Sequence, residues 1–151
     1  MTGPAGGRPF VMHEHVRWSD IDYARIMRYT AYPRFLELAE AELFRSLGVE
    51  YHELFTRFDL SLPRRSMHWE FHAPARLDDR LELRAWFGHV GESSLRFDLE
   101  VRHAATGAPS ASGHMLLVCT EVEELRRKRL PDDLRAVIAP HVMQGIEAGR
   151  H

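Results

Sequence analysis

The sequence predicts an α+β fold in which a curved antiparallel β-sheet wraps around one long α-helix. Apolar residues recur at helical spacing over residues 30–47, whereas apolar and polar residues alternate along several later segments. The predicted order is one strand, the long helix and then four strands. A long, largely apolar helix needs a sheet to bury it, and the concave face of a curved antiparallel sheet provides that surface.

The bulk composition is that of one ordinary globular domain. We assign residues 10–140 to this domain, residues 1–9 to a flexible Gly/Pro-rich leader and residues 141–151 to a polar tail. A net charge of −2 gives no basic field for nucleic acid. Because Cys119 is the only cysteine and no signal peptide or membrane span is recognisable, we expect a cytoplasmic protein with no membrane partner.

The first strand and the helices follow from local patterns. Residues 10–19 are predicted as a strand because Val16 and Trp18 alternate with polar residues. In the helix predicted over 30–47, Thr30 is the expected N-cap, Pro33 fits the first turn and Gly48 ends the helix. A short second helix is predicted over residues 50–57.

The second half of the chain reads mainly as strands. Period-two alternation predicts strands over 67–71, 81–87 and 95–101. The more continuous apolar run within residues 110–123 predicts a strand buried on both faces. Turn residues separate these segments, and residues 131–138 are predicted as a short terminal helix.

Two carboxylates, Asp20 and Asp22, stand where the first strand pattern stops and a helix follows. A carboxylate facing a helix N-terminus lies near backbone N–H groups that can stabilise an oxyanion, which indicates hydrolytic chemistry. The alternative is structural, because Asp is common in turns and helix caps. We assign Asp20 the structural role of hydrogen-bonding the turn.

Four segments in order resemble the hotdog-fold acyl-CoA thioesterases of the 4-hydroxybenzoyl-CoA thioesterase type. They are an aromatic-containing strand ending in Asp-x-Asp at residues 16–22, an aromatic helix start at 32–37, a Pro-x-x-x-x-Asp turn at 74–79 and a Gly-x-Ser-Ser hairpin at 91–94. The closing helix near residues 130–134 completes a resemblance that spans about residues 12–138. The resemblance implies a hotdog fold.

The resemblance also implies a site and an activity. Asp22 corresponds to the catalytic carboxylate, acting either as nucleophile or as general base toward water. The backbone N–H of Tyr29 corresponds to the group that polarises the thioester oxygen. The implied substrate is an acyl-CoA or acyl-carrier-protein thioester, without metal or other cofactor. Because the pantetheine arm of such proteins enters at a subunit boundary, we expect a homodimer or homotetramer.

The basic run Arg126, Arg127 and Lys128, followed by Arg129, has two readings. It is a candidate substrate-binding clamp for the CoA phosphates, since Arg binds phosphate oxygens in bidentate fashion. It is equally a solvated loop that balances neighbouring glutamates. His13 and His15 share one strand face, but no third ligand has persuasive spacing, so no metal site is predicted.

Two departures from the family pattern support an alternative function. Arg25 stands where the family usually has Gly, and Ala31 where it commonly has Asn. These changes fit a non-catalytic protein that binds acyl-CoA or another small hydrophobic ligand. Glu37 on the predicted helix is the reserve carboxylate. A hydratase ranks last, because no His with Asp or Glu forms a matching constellation.

Overall fold

The computed structural model describes residues 6–144 of the chain. The strands are β1 (Phe10–His15), β2 (Arg64–Phe71), β3 (Arg80–Val90), β4 (Ser94–His103) and β5 (Pro109–Val118), and the helices are α1 (Tyr32–Ser46), α2 (Glu53–Thr56) and α3 (Asp132–Ile138). Single 3₁₀ turns occupy Trp18–Asp20, Tyr29–Ala31 and Ala139–His141.

The five strands form one antiparallel sheet in the order β1-β3-β4-β5-β2. β1 and β2 are therefore the edge strands, and β3, β4 and β5 lie inside the sheet. The predicted α+β architecture is confirmed. The prediction for 110–123 is met in part, because β5 is buried on both faces over residues 110–113 but half-buried on its outer face farther on.

The core lies between α1 and the inner face of the sheet. One face of α1 is fully buried, with Phe35, Ala39 and Leu43 at 0% exposure. The facing strand residues are equally buried: Leu81, Leu83, Phe87, Leu95, Phe97 and Leu99. The helical and the period-two patterns thus share a single cause, burial of apolar side chains in one core.

The start of α1 differs from the prediction. Thr30 is not an N-cap, since α1 begins at Tyr32 and Thr30 lies within the preceding 3₁₀ turn. Its hydroxyl oxygen instead accepts a hydrogen bond from Arg28 Nε at 3.0 Å. Pro33 lies in the first turn as predicted, and Gly48 adopts φ +84° just beyond the helix.

The first strand is shorter than predicted. β1 ends at His15, and Trp18–Asp20 form a 3₁₀ turn in which the Trp18 side chain is exposed. The cause is the Asp20 carboxylate, because its Oδ2 accepts the Arg17 N–H at 2.8 Å and closes the turn. Alternation at residues 16–19 therefore does not reflect a strand. The second helix is also shorter than predicted.

Segments on both sides of the predicted domain limits lie against the domain. The Arg8 N–H donates to the Pro140 carbonyl at 3.0 Å, and the Met143 N–H donates to the Phe87 carbonyl at 2.9 Å. The rest of the predicted leader and tail, residues 1–5 and 145–151, lies outside the described residues. Within the described range, no helix is long and apolar enough to cross a membrane.

Gly113 generates a stability prediction. It pairs with Trp69 across β5 and β2, and a Cβ at this position would lie 2.6 Å from the His68 carbonyl oxygen and 2.8 Å from the Trp69 ring. We expect Gly113→Ala to lower the free energy of unfolding by about 1–3 kcal/mol, because the strand or the indole must move. Chemical denaturation measures this. Gly107→Asn is the control, since Gly107 has open space and a φ that Asn tolerates; equal losses would contradict the packing argument.

Candidate active site

A cavity of about 420 Å³ lies beside the N-terminal end of α1. The loop that leads into the helix forms one wall, and the end of β2 with the residues after it forms the other. The lining residues are Asp22, Ile26, Met27, Arg28, Tyr29, Tyr32, Phe71, His72, Ala73 and Pro74. The two residues predicted to be catalytic, Asp22 and Tyr29, therefore line the same cavity.

Backbone hydrogen bonds hold the two walls together. The Met27 N–H donates to the Ala75 carbonyl at 2.7 Å, and the Val16 N–H donates to the Asp79 carbonyl at 2.9 Å. An isolated bridge between Ile21 and Met27 closes the loop that carries Asp22. These bonds satisfy loop backbone groups and define the width of the cavity.

Asp20 anchors this loop to α1. Its carboxylate is 3% exposed and accepts two hydrogen bonds from Arg34, from Nε at 3.1 Å and from Nη2 at 2.6 Å. Arg34 also forms an ion pair with Glu14 at 3.1 Å, which ties β1 to the same guanidinium. The Asp20 carbonyl accepts the Arg28 N–H at 2.9 Å. The structural role predicted for Asp20 agrees with these contacts.

The pKa of Asp20 reflects opposing influences. Burial alone would raise the pKa of this carboxyl, but the hydrogen bond from Arg34, the Arg17 N–H and the positive charge of Arg34 hold it below its ordinary value. Asp20 is therefore ionised at neutral pH. With both oxygens occupied by Arg34 and no place in the cavity wall, it is not available to a substrate.

Asp22 differs from Asp20 in exposure and in its partners. It is exposed, and its Oδ1 accepts the N–H of Ala24 at 2.9 Å in an Asx turn. Its Oδ2 accepts no hydrogen bond from any residue between 6 and 144. One oxygen thus orients the side chain, and the other is available to water or to an electrophilic carbon in the cavity.

Arg25 occupies a backbone position that favours glycine. Its φ is +66°, and its N–H donates to the Asp22 carbonyl at 2.9 Å. A left-handed conformation costs a residue with a side chain roughly 1–2 kcal/mol. The tight turn around Asp22 is retained despite this cost, so replacement of the usual glycine strains the turn without opening it.

Two backbone N–H groups at the helix start have no protein partner within residues 6–144. The N–H groups of Tyr29 and Thr30 have no acceptor among the described residues, since both precede the first intrahelical bonds. The 3₁₀ turn Tyr29–Ala31 continues directly into α1. Tyr29 N–H therefore stands at the positive end of a long helical segment, on the cavity that Asp22 lines.

Three other side chains of the cavity wall were not among the site residues predicted from the sequence. Tyr32 is buried, and its hydroxyl lies 3.1 Å from Ser110 Oγ. Phe71 stacks edge-on against Tyr32 with 5.2 Å between ring centroids, and His72 Nε2 lies 2.9 Å from Ser112 Oγ. Phe71 and His72 follow the strand alternation already noted, but only the sheet register brings them beside residues 22–32.

The predicted basic clamp lies elsewhere in the subunit. Arg126 Nε donates to Glu121 at 2.9 Å, Lys128 Nζ donates to the Asp59 carbonyl at 2.6 Å, and Arg127 lies at a bridge to Thr120. These residues follow the Val118 end of β5, whereas the Asp22 cavity adjoins its Pro109 end, about 30 Å away along a ten-residue strand. One subunit does not bring them together.

Neither the reserve carboxylate nor a metal group joins this cavity. Glu37 lines a separate cavity farther along α1. No group of three His, Cys, Asp or Glu side chains within residues 6–144 could hold a metal ion. The polar groups near Asp22 are its own carboxylate and backbone N–H groups. Such groups suit acid–base or nucleophilic chemistry on a carbonyl compound.

Comparisons with known proteins agree with this architecture. Residues 16–138 match the model of the thioesterase-like superfamily. The chain is 28% identical over 126 residues to the acyl-CoA thioester hydrolase YbgC of Escherichia coli O6:H1, covering 80% of this chain and 89% of YbgC.

Two solved structures are similar in fold. Slr0204, a 1,4-dihydroxy-2-naphthoyl-CoA thioesterase from Synechocystis, has a TM-score of 0.79 at 21% identity, covering 86% of this chain and 95% of its own. SAV2348 from Staphylococcus aureus, solved in complex with CoA, has a TM-score of 0.79 at 15% identity, covering 89% of this chain and 84% of SAV2348. The expected hotdog fold is confirmed.

The Asp20–Arg34 contact predicts an acid-dependent stability. The pKa of Asp20 is lowered in the folded state, so ionised Asp20 stabilises the fold at every pH above the ordinary pKa of Asp. This stabilisation is lost as the pH falls through the lowered pKa of the folded state. We expect Asp20→Asn to lower the free energy of unfolding by about 2–3 kcal/mol near pH 7. The difference from wild type should shrink below about pH 4.

Urea denaturation at a series of pH values measures this difference. Asp78→Asn is the matched control, because Asp78 is an exposed carboxylate that lies outside the ion-pair cluster. A pH-independent gap between wild type and Asp20→Asn would contradict the assignment.

Proposed function

The chain belongs to the thioesterase-like superfamily, and we propose that it is an acyl-CoA thioester hydrolase that uses the Asp22 carboxylate and the Tyr29 backbone N–H. The observation that carries the proposal is their arrangement on one cavity. Among the described residues, Asp22 has one oxygen without a donor and Tyr29 has an N–H without an acceptor.

The proposed reaction is attack on the thioester carbonyl carbon. As general base, Asp22 takes a proton from water while the water oxygen bonds to that carbon. The carbonyl oxygen becomes an oxyanion, to which the Tyr29 N–H donates. Collapse of the tetrahedral intermediate breaks the carbon–sulfur bond, and the proton held by Asp22 passes to the departing thiolate. The alternative is direct attack by Asp22 on that carbon, which breaks the carbon–sulfur bond and releases the thiolate to take a proton from water. The acyl-enzyme anhydride is then hydrolysed by water, which restores the Asp22 carboxylate.

The substrate class follows from the relatives and the cavity. YbgC is named an acyl-CoA thioester hydrolase, and the structure of SAV2348 contains CoA. The cavity combines the carboxylate with aromatic walls from Tyr32 and Phe71, which suits an acyl group next to a hydrolysed bond. We propose acyl-CoA as the substrate, and acyl-carrier-protein thioesters belong in the same panel.

Self-association through β2 is part of the proposal. β2 is an edge strand, and none of its residues is fully buried. The His72 N–H donates to Ser110, so the alternation of antiparallel bonding directs the N–H groups of Met67, Trp69 and Phe71 away from β5. An exposed edge with unpaired donors and large apolar side chains favours pairing with a second copy.

Such pairing would bring the basic run of one copy close to the substrate bound by the other copy. In an antiparallel pair of β2 edges, the Arg64 end of one copy lies beside the Phe71 end of the other. The segment Arg126–Lys128 lies toward the Arg64 end of its own subunit, since Leu117 of β5 pairs with Arg64. We therefore propose that this segment binds the phosphates of the CoA held by the neighbouring copy, and not the phosphates of the CoA held by its own subunit.

The first prediction from this proposal concerns the Asp22 carboxylate. We expect Asp22→Asn to lower kcat for acyl-CoA hydrolysis about 10²–10⁴-fold, because the amide can neither accept the proton of water nor attack the carbonyl carbon. Thiol release from a panel of acyl-CoA and acyl-carrier-protein thioesters measures this. The folded state is verified by thermal denaturation.

Asp78→Asn controls for loss of a surface carboxylate, and Asp20→Asn, assayed where it is folded, separates the two acids. An equal loss of kcat in Asp20→Asn and Asp22→Asn would mean that both carboxylates contribute to catalysis. Tight acyl-CoA binding without turnover by wild type would replace the hydrolase proposal with the non-catalytic binding function.

The second prediction concerns the β2 edge. We expect Met67→Lys to shift the protein toward the monomer, because a symmetric edge pairing brings identical strands together and repels like charges. Sedimentation velocity across a concentration series measures the shift. Val11→Lys is the matched control, since Val11 is comparably exposed on the opposite edge strand. The edge assignment fails if both variants dissociate equally or if wild type is monomeric.

A further inference from the structure

A second cavity, of about 450 Å³, lies farther along α1 between that helix and β2. Its lining contains the exposed Glu37 and an apolar wall that consists of Pro33, Leu36, Ala41, Met67 and Met115. The two methionines are flexible side chains that adapt to the shape of a bound apolar group. None of these residues belongs to the wall of the Asp22 cavity.

One end of this second cavity is closed by a polar cluster of Glu40, Arg64 and Tyr51. Glu40 is 1% exposed, and its Oε1 accepts a hydrogen bond from Arg64 Nη2. Its Oε2 accepts the Tyr51 hydroxyl at 3.1 Å, and Arg64 Nη1 donates to the Leu62 carbonyl at 2.9 Å. All three side chains line the cavity, so the polar cluster is fixed in its wall.

Within the polar cluster, Glu40 and Tyr51 are shielded from water, whereas Arg64 is exposed. Burial raises the pKa of Glu40 despite the nearby charge of Arg64 and the hydrogen bond from Tyr51. Burial, together with the adjacent Glu40 carboxylate, raises the pKa of Tyr51 to about 12. Apolar groups pressed against this cluster would remove its remaining water without supplying a hydrogen bond, which is unfavourable.

Aromatic rings pack between the two cavities. The Tyr32 ring lies 5.6 Å from the Trp69 ring and 5.2 Å from the Phe71 ring, and the Trp69 and Phe71 rings stack at 6.4 Å. Tyr32 and Phe71 line the first cavity, while Pro33 and Met67 beside them line the second. Phe71 is 52% exposed and Met67 48%, so the outer surface of these side chains forms an apolar track from the first cavity toward the second.

We propose that the second cavity holds the far end of the acyl chain and that the Glu40–Arg64 pair ends this pocket and limits acyl length. The inference rests on the proposed hydrolase function, because it takes the thioester to lie at Asp22. Tyr32 and Glu40 are eight residues apart on α1, which corresponds to about 12 Å. An extended carbon chain advances about 1.25 Å per bond, so about ten bonds, or roughly ten to eleven carbons, span this distance.

The physical basis is a change of environment along the track. Each methylene buried against the apolar wall should raise kcat/KM about fourfold, until the chain reaches the polar cluster. Beyond that length, further methylenes must displace the ion pair or turn back toward solvent. The kcat/KM profile of wild type should therefore rise to about ten to eleven carbons and then fall.

The test is a double variant, Glu40→Gln/Arg64→Met, assayed with saturated acyl-CoA thioesters of increasing length. Both charges are removed together, because loss of Arg64 alone would leave a buried carboxylate unpaired. Gln retains an acceptor for the Tyr51 hydroxyl. We expect the ratio of kcat/KM for dodecanoyl-CoA over octanoyl-CoA to rise at least about tenfold.

Arg65→Met is the matched control, since it removes the same charge from the neighbouring, exposed residue, which is not part of the pocket wall. Its length profile should match that of wild type. A second variant, Ala41→Leu, fills the apolar wall with a residue of nearly the same helix propensity, so it tests the pocket even if the double variant does not fold. It should lower the kcat/KM ratio of octanoyl-CoA over butyryl-CoA at least about fivefold.

Unchanged length profiles in both pocket variants would overturn the inference while leaving the hydrolase function intact. If wild type hydrolyses no thioester, the proposed function fails, and calorimetric binding of non-hydrolysable S-alkyl-CoA thioethers becomes the readout. A length optimum that shifts in the pocket variants would then still support the pocket assignment. Binding that is independent of alkyl length would overturn that assignment as well.

Discussion

The contact between Asp20 and Arg34 determines much of the local geometry on which the candidate site depends. It joins the segment after β1 to the first turns of α1, and Glu14 on β1 shares the same guanidinium. A buried carboxylate requires such a partner, because its charge would otherwise be desolvated without compensation. With Asp20 immobilised, the chain positions Asp22 two residues later at the cavity, and the Asp20 carbonyl holds Arg28 just before the helix start.

A second constraint is that the sheet covers α1 only in part. Five strands surround the buried face of the helix, but the sheet ends at β2, whose residues Met67 and Phe71 stay exposed. Both cavities lie along this margin, one at each end of the Tyr32 and Trp69 ring contact. The open edge that we propose for association with a second copy is therefore also the place where we propose that an apolar ligand reaches the helix.

Local patterns predicted the secondary structure well wherever burial alone determines conformation. Phe35, Ala39 and Leu43 face one core, and the period-two strands face the same core from the other side. Prediction failed where a side chain competes with the backbone. Alternation extended the first strand to residue 19, but the Asp20 carboxylate bonds the Arg17 N–H and forms a turn. Thr30 was predicted as an N-cap, yet its hydroxyl oxygen accepts a hydrogen bond from Arg28 Nε instead.

The sequence by itself determined the α+β architecture, the order of its elements and the pairing of an acidic turn with a helix start, because burial periodicity and turn chemistry are local properties. Only the tertiary structure decided that Asp20 is bound by Arg34 whereas Asp22 lines the cavity. It also set the basic run at the far end of the sheet and assembled Glu40, Arg64 and Tyr51 into one cluster. These contacts join residues 11 to 24 positions apart, and they depend on strand register and helix docking that no local pattern encodes.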